Sequence, residues 1–360
     1  MKLVLPLVAS ASVALAFAYR SRQLRIQQAE EEFMRGLAST EQYRELPVCI
    51  VVDIGSSSIR ASCWALAADA HWVLIDGSLK QQHQDSIDVH GEAEAAQIAT
   101  TVEKVLDGAL HFLRVAGLTH KLVGVGFSCF AMNVLGVDTR RGILTGLMLL
   151  QGNAVTPVYT YAGRRKATAE WARELQERLS TRGELDETHN RTGTVIHPAY
   201  APATFLRLHE DEPATVERVT KWQSISGYLI GKWTTAAQQT ADSCLPISFS
   251  EASWMGLLDF RNSQWDSTLL KHVGMDNSKM PPVADSSVPF SGLNSVFSKR
   301  WPELKLVPFF LGVADGAAAN IGSKCIDASR IAVTIGTSAA LRVVLRADAM
   351  KTAKPRSLFS

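Results

Sequence analysis

The sequence predicts a mixed α/β protein, and three observations carry that reading. Continuous β-branched runs such as residues 48–54 are too apolar for surface strands and break at glycine and hydroxyl residues. Segment 92–115 instead repeats Ala96, Ile98, Val102, Val105, Leu106, Leu110 and Phe112 at helical spacing. Short hydroxyl-rich turns join two pairs of strand runs, and hairpins of that kind exclude a purely parallel sheet. A length of 360 residues with 46% apolar content can bury one large core or two moderate ones.

The elements follow in order. Residues 1–19 are a hydrophobic segment, apolar over 3–19, with Lys2 before it and Arg20, Arg22 and Arg25 after it. Roughly 17 apolar residues lie at the lower limit of a membrane-spanning helix and slightly above a signal-peptide core, so an anchor and a cleaved targeting peptide both stay open. The three arginines favour a cytoplasmic-facing flank. Residues 20–46 read as a charged linker or solvated helix, and the folded domain starts near Pro47. Within a first lobe, 47–305, we expect strands over 48–54, 59–68 and 122–127. Helices are expected over 92–115, 168–179 and 202–208, and the start of another within 219–231. A second lobe, 306–360, would open with a strand over 306–312, a helix over 316–322 and a hairpin with arms 331–335 and 339–345.

Composition narrows the function classes. Lys plus Arg (37) and Asp plus Glu (35) leave a net charge of +2, too little for nucleic-acid binding by counterion release, so the expected partner is a small molecule. The five cysteines are odd in number and form no CxxC pair, and the nine histidines lack metal-ligand spacing. Neither a disulfide framework nor a zinc site follows. Gly227 to Lys232 misses a Walker A loop by one residue, and no Gly-x-Ser-x-Gly elbow occurs.

Three motifs carry chemistry. In Asp53-Ile54-Gly55-Ser56-Ser57-Ser58-Ile59-Arg60 an acidic residue ends a buried strand, and glycine with three hydroxyls fills the turn. Glycine lets the backbone approach an anion, the serines can donate to phosphate oxygens, and a carboxylate such as Asp53 can hold hydrated Mg²⁺. A plain turn between two strands would leave the same trace. Asp315, in Gly312-Val313-Ala314-Asp315-Gly316, stands at a helix entrance, where it serves either as a cap or as a general base for a hydroxyl attacking a phosphate. Gly336-Thr337-Ser338 is a second strand–turn–strand of the first kind. Two such hairpins can close on a polyphosphate like a pincer.

Together the three motifs resemble the FGGY family of carbohydrate kinases, with its gluconokinase-like branch nearest, and most of 48–345 can be laid on the family pattern. The resemblance implies an actin-like, ribonuclease H-like ATPase fold of two lobes, the second incomplete in this chain. It implies an ATP- and Mg²⁺-dependent kinase for a sugar, polyol or sugar acid. Asp315 would be the catalytic base and Asp53 the Mg²⁺ residue acting through water. Gly55, Ser56, Ser57, Ser58, Arg60, Gly336, Thr337 and Ser338 would form the phosphate loops. The strand and loop around Ser128, Cys129 and Phe130, with Arg165 and Gly316, would border the substrate. Ser253 to Asp259, with Trp265-Asp266, resembles a further family signature.

Departures from the pattern are expected to matter. Gly163 stands where the family usually carries Asp, and Met132 where gluconokinase-like members often carry His. Residues 141–151 lengthen an expected surface turn, either as an added element or as an unspliced segment. Family members continue well past Leu345, through the adenosine-binding loop, so weak or absent catalysis is expected if 360 residues are the complete product. The alternative reading is a membrane-tethered, catalytically weak or inactive sugar-binding protein of the same fold, in contact with the membrane through residues 3–19. A homo-oligomer is compatible with either.

Overall fold

In a computed structural model of the chain, the described residues are 33–84, 86–141, 153–163, 165–236, 244–335 and 339–346, with 20, 23, 24, 27, 28, 30 and 31. The hydrophobic segment 3–19, the insertion at 142–151, Arg164, the turn Gly336-Thr337-Ser338 and the stretch after 346 lie outside them.

The first core grows from the run that the sequence marks most strongly. Strand β1 (Val48–Ile54) alternates, with Val48, Ile50, Val52 and Ile54 fully buried. Each such side chain contributes roughly 1.5–3 kcal/mol when removed from water. The chain reverses at Gly55 into β2 (Ser58–Leu66), antiparallel to β1, and β3 (Trp72–Leu74) and β4 (Lys80–His83) both pair with β2. Helix α1 (Ala95–Val115) covers this sheet with Ile98, Val102, Leu106, Ala109, Leu110 and Leu113. It ends where Gly117 takes a φ of +70° and the Leu118 N–H reaches Leu113 O at 2.9 Å, the left-handed closure that glycine permits. Strand β5 (Leu122–Cys129) then returns parallel to β1 on its other side. These elements match expectation within a few residues at each end.

A second buried cluster lies around α2 (Lys166–Thr181) and α3 (Ala201–Asp211), where Leu175, Leu179, Phe205 and Leu206 meet Trp222, Met255, Leu257 and Leu269. Two short helices with serine N-caps follow. Ser224 Oγ accepts from Gly227 N at the start of α4 (Ile225–Trp233), and Ser248 Oγ accepts from Glu251 N at the start of α5 (Phe249–Trp254).

The second lobe is expected to open at 306 with one strand over 306–312, but residues 309–310 and 313–314 are hydrogen-bonded into the first sheet. Strand β6 (Pro289–Phe290) pairs with β7 (Phe309–Phe310), and β7 and β8 (Val313–Ala314) both run parallel to β5. Pro308 and Gly312 interrupt the regular run, so two short pieces replace the single strand. Helix α6 (Asp315–Gly322) follows directly, and β9 (Ile331–Ile335) with β10 (Ala339–Val343) forms a separate antiparallel pair.

Candidate active site

Parallel pairing brings the candidate residues together. In the register of the sheet Asp53 lies opposite Ser128, and Ser128 lies opposite Val313, so β1, β5 and β8 end side by side. Asp315 is the next residue after β8. Carboxyl ends of neighbouring parallel strands are where open α/β sheets bind ligands. Asp315 is solvent-exposed, and its Oδ1 accepts from its neighbour Gly316 N at 2.7 Å. The protein packed around it partly desolvates the carboxyl and raises its pKa, and the charge of Asp53 adds to that. The N–H groups of Gly316 and Ala131 and the Arg342 guanidinium oppose it.

The Gly55 hairpin, expected to hold phosphate, is closed tightly. Gly55 N donates to Ser58 O at 3.1 Å, and a Cβ at Gly55 would sit 2.8 Å from that oxygen, so glycine alone closes the turn. Ser57 is exposed, and Ser56 is half-buried and accepts from the Tyr161 hydroxyl at 3.0 Å. Ser58 is different: as the first residue of β2 it is buried, so the hydroxyls at the tip are those of Ser56 and Ser57. Arg60 Nη1 donates to Asp53 Oδ2 at 2.9 Å, which ties the basic residue of the motif to its acidic one.

The surroundings of Asp53 fit hydrated Mg²⁺. Among the described residues its Oδ2 alone has a protein partner, and a second carboxylate, that of Asp315, is near enough to feel its charge. No group of three metal-ligating side chains occurs among the described residues, so an ion here would take its remaining ligands from phosphate and water, as Mg²⁺ commonly does.

On the substrate side the residues divide. Ser128 is half-buried at the strand end, whereas Cys129 and Phe130 are in the core. Cys129 ends β5 and Phe130 follows it, both buried in the first core, and burial holds the Cys129 thiol well above its usual pKa. The loop after them is fixed by Asn133, whose Nδ2 donates to Phe130 O at 2.8 Å and whose Oδ1 accepts from Ile225 N at 2.7 Å. Met132 within this loop has a φ of +62°, a region that L-residues seldom adopt. Arg165 is paired with Glu92 through both Nε and Nη2, the latter at 2.8 Å. A Cβ on Gly316 would lie 3.0 Å from Arg342 Nε and 3.3 Å from Trp254 Cζ2, so both side chains border the helix entrance.

Sequence reasoning missed Tyr161, Trp254 and Arg342 as neighbours of the site. Tyr161 and Trp254 stand inside segments that resemble the family, and Arg342 is the lone cation of an otherwise apolar strand. No local signal marked Ser226 and Ser248, which hold the Gly312 peptide, or the buried Glu251 that Ser226 donates to.

Known proteins share this fold. Residues 48–322 match the FGGY family of carbohydrate kinases, N-terminal domain. The gluconokinase of Bacillus subtilis (strain 168) is 27% identical over 201 residues, covering 53% of this chain and 34% of the relative. The xylulose kinase of Lactococcus lactis subsp. lactis is 24% identical over 288 residues, covering 80% of this chain and 51% of the relative. Among solved structures, the gluconate kinase from Lactobacillus acidophilus superimposes with a TM-score of 0.65 at 19% identity, over 83% of this chain and 54% of that one. The chain thus spans about a third to a half of the lengths of these relatives.

Proposed function

Because the chain belongs to the FGGY family of carbohydrate kinases, we propose that it transfers the γ-phosphoryl group of ATP to a hydroxyl of a sugar, polyol or sugar acid, with Asp315 as general base. The observation that carries the reading is the convergence of Asp53 and Asp315 at adjacent strand ends, with the Asp315 pKa raised by desolvation and by the charge of Asp53. The substrate oxygen attacks the γ-phosphorus and gives its proton to Asp315, while the bond from that phosphorus to the bridging oxygen breaks and ADP leaves. Mg²⁺, held through water by Asp53, would supply charge neutralisation on the phosphates.

Ser56 and Ser57, with the Gly55 turn, would hold phosphate oxygens from one side, and Gly336, Thr337 and Ser338 from the other. Ser128 and Gly316 would border the substrate, with Cys129 and Phe130 as the packed wall behind them and Arg165 set by Glu92. The second lobe would begin after α6, with β9 and β10 as its first strands. Residues 3–19 would serve as a membrane anchor that leaves the domain on the cytosolic side, where ATP is available, or as a cleaved targeting peptide, with the cytoplasm itself as the alternative location.

The apolar side chains that β9 and β10 expose favour a second reading, a sugar-binding protein without nucleotide chemistry. Calorimetry with ATP and Mg²⁺ separates the two, since only the kinase gives metal-dependent binding. The kinase reading predicts that Asp315→Asn abolishes sugar phosphorylation while leaving nucleotide affinity little changed, because it removes a proton acceptor and no phosphate contact. Comparable turnover by this variant would exclude Asp315 as the base.

A further inference from the structure

We propose that Glu251 is a positioning residue for Asp315: buried beneath the site, it sets the direction of two serine hydroxyls and, through Ser226, holds the Gly312 peptide that leads into the catalytic segment. The inference rests on the reading of Asp315 as the base.

Glu251 is 3% exposed and lies on α5. Its Oε2 accepts from Ser226 Oγ at 2.6 Å and from Ser224 Oγ at 3.0 Å. A carboxylate only accepts, so each serine must spend its single proton on Glu251 and turn its lone pairs toward a backbone N–H. Ser224 Oγ then accepts from Gly227 N at 3.2 Å, and Ser226 Oγ accepts from Gly312 N at 3.0 Å. The same helix turn adds two more holds: Ser248 Oγ donates to Gly312 O at 2.6 Å, and Ser250 Oγ accepts from Ala314 N at 3.1 Å. Serines around one buried carboxylate therefore satisfy Gly312 and Ala314, one to three residues before Asp315. The approach is close enough that a Cβ on Gly312 would sit 2.9 Å from Ser226 Oγ.

The device is sensitive to pH. Burial pushes Glu251 up to about 7, against hydrogen bonds from Ser226, Ser224, Asn133 and Cys129. Its other oxygen, Oε1, is buried and makes no hydrogen bond of normal geometry among the described residues, with the Asn133 amide and the Cys129 thiol acting on the carboxyl from nearby, so a proton is accommodated there without breaking either serine bond. Protonation removes the charge that makes those bonds strong. Few other groups face this carboxyl. The Cys129 thiol on β5 titrates far above neutrality, and the charges of Asp53 and Asp315 act on that thiol. From α4 the neighbours are serines, and β8 and the strands Ile247–Ser248 and Val283–Ala284 present no charge to α5. Asp259, on the strand beyond, is engaged by Asn262 and the Arg261 N–H.

Backbone hydrogen exchange of peptides spanning 309–316, corrected for the intrinsic rate at each pH, tests the clamp in the full chain. Between about pH 6 and pH 8 wild-type protection at Gly312 should rise by roughly tenfold, as Glu251 ionises and its hydrogen bonds strengthen. Glu251→Gln, whose amide oxygen still accepts but does not titrate, should show no such step. Ser226→Ala and Glu251→Ala should lose protection at Gly312 at every pH while the β1 peptides stay protected, which separates a local from a global effect. A wild-type pH step retained in Glu251→Gln, or full protection of Gly312 in Ser226→Ala, would overturn the proposal. No sugar or nucleotide enters the measurement. The pH step without any sugar phosphorylation would keep the clamp and remove the kinase reading instead.

Discussion

Asp53 and Arg342 act on the Asp315 carboxyl with opposite signs, the first raising its pKa and the second lowering it, while partial desolvation by the surrounding protein is the larger cause of the upward shift. In the proposed role of general base Asp315 works only when ionised, so activity should fall as pH drops through its pKa. Arg342→Gln removes a stabilising positive charge, and the acid limb of kcat/KM should move to higher pH. An unmoved limb would show that Arg342 does not reach the carboxyl. The same shift has a stability consequence. A carboxyl whose folded pKa exceeds its unfolded value stabilises the protein below the unfolded pKa, and that contribution is lost as pH rises through the folded one. Asp315→Asn should therefore match or exceed the wild-type melting temperature at neutral pH, while abolishing turnover. Much of this was legible in the sequence, because Asp315 stands in a Gly-x-Ala-Asp-Gly setting. Arg342 was not, since its approach to Gly316 depends on how β10 packs rather than on its neighbours in the chain.

Among the elements, the hairpin of β1 and β2 is the one whose function can be tested apart from its stability. Ser57 is exposed at the tip, so Ser57→Ala should leave the melting temperature nearly unchanged. A hydrogen bond to a charged group contributes roughly 1.5–3 kcal/mol, so affinity for ATP should fall by about ten- to a hundredfold, with sugar affinity little moved. Lowered stability with unchanged ATP affinity would mark the turn as a plain connector. The hairpin could be read from sequence because a strand, a glycine turn and a strand are local features. The burial of Ser58 could not, since it follows from pairing with β4, where Ser58 lies opposite His83. Arg165 makes the same point: its segment was recognised, but its partner Glu92 lies 73 residues away in sequence.

Over the whole molecule, the two buried clusters contrast with the pair β9–β10, where Ile335 is 81% and Leu341 68% exposed. Among the described residues this pair has no third strand, and an isolated two-stranded sheet is marginal in water. Its amides should exchange within the shortest labelling times, while those of β1 and β5 stay protected. Slow exchange across β9 and β10 would mean that something covers them. What the sequence determined by itself was local: the α/β class, the alternation of β1, the helical face of α1, the hydroxyl-rich turns and the two aspartates. Each follows from spacing within a few residues, where backbone geometry dictates which side chains share a face. Only the tertiary structure decided that 309–314 joins the first sheet, that Cys129 and Phe130 form a wall, and that Glu251 underlies Gly312. Parallel pairing and burial join segments far apart in the chain, and the free energy that selects them comes from packing and desolvation that no short window of residues contains.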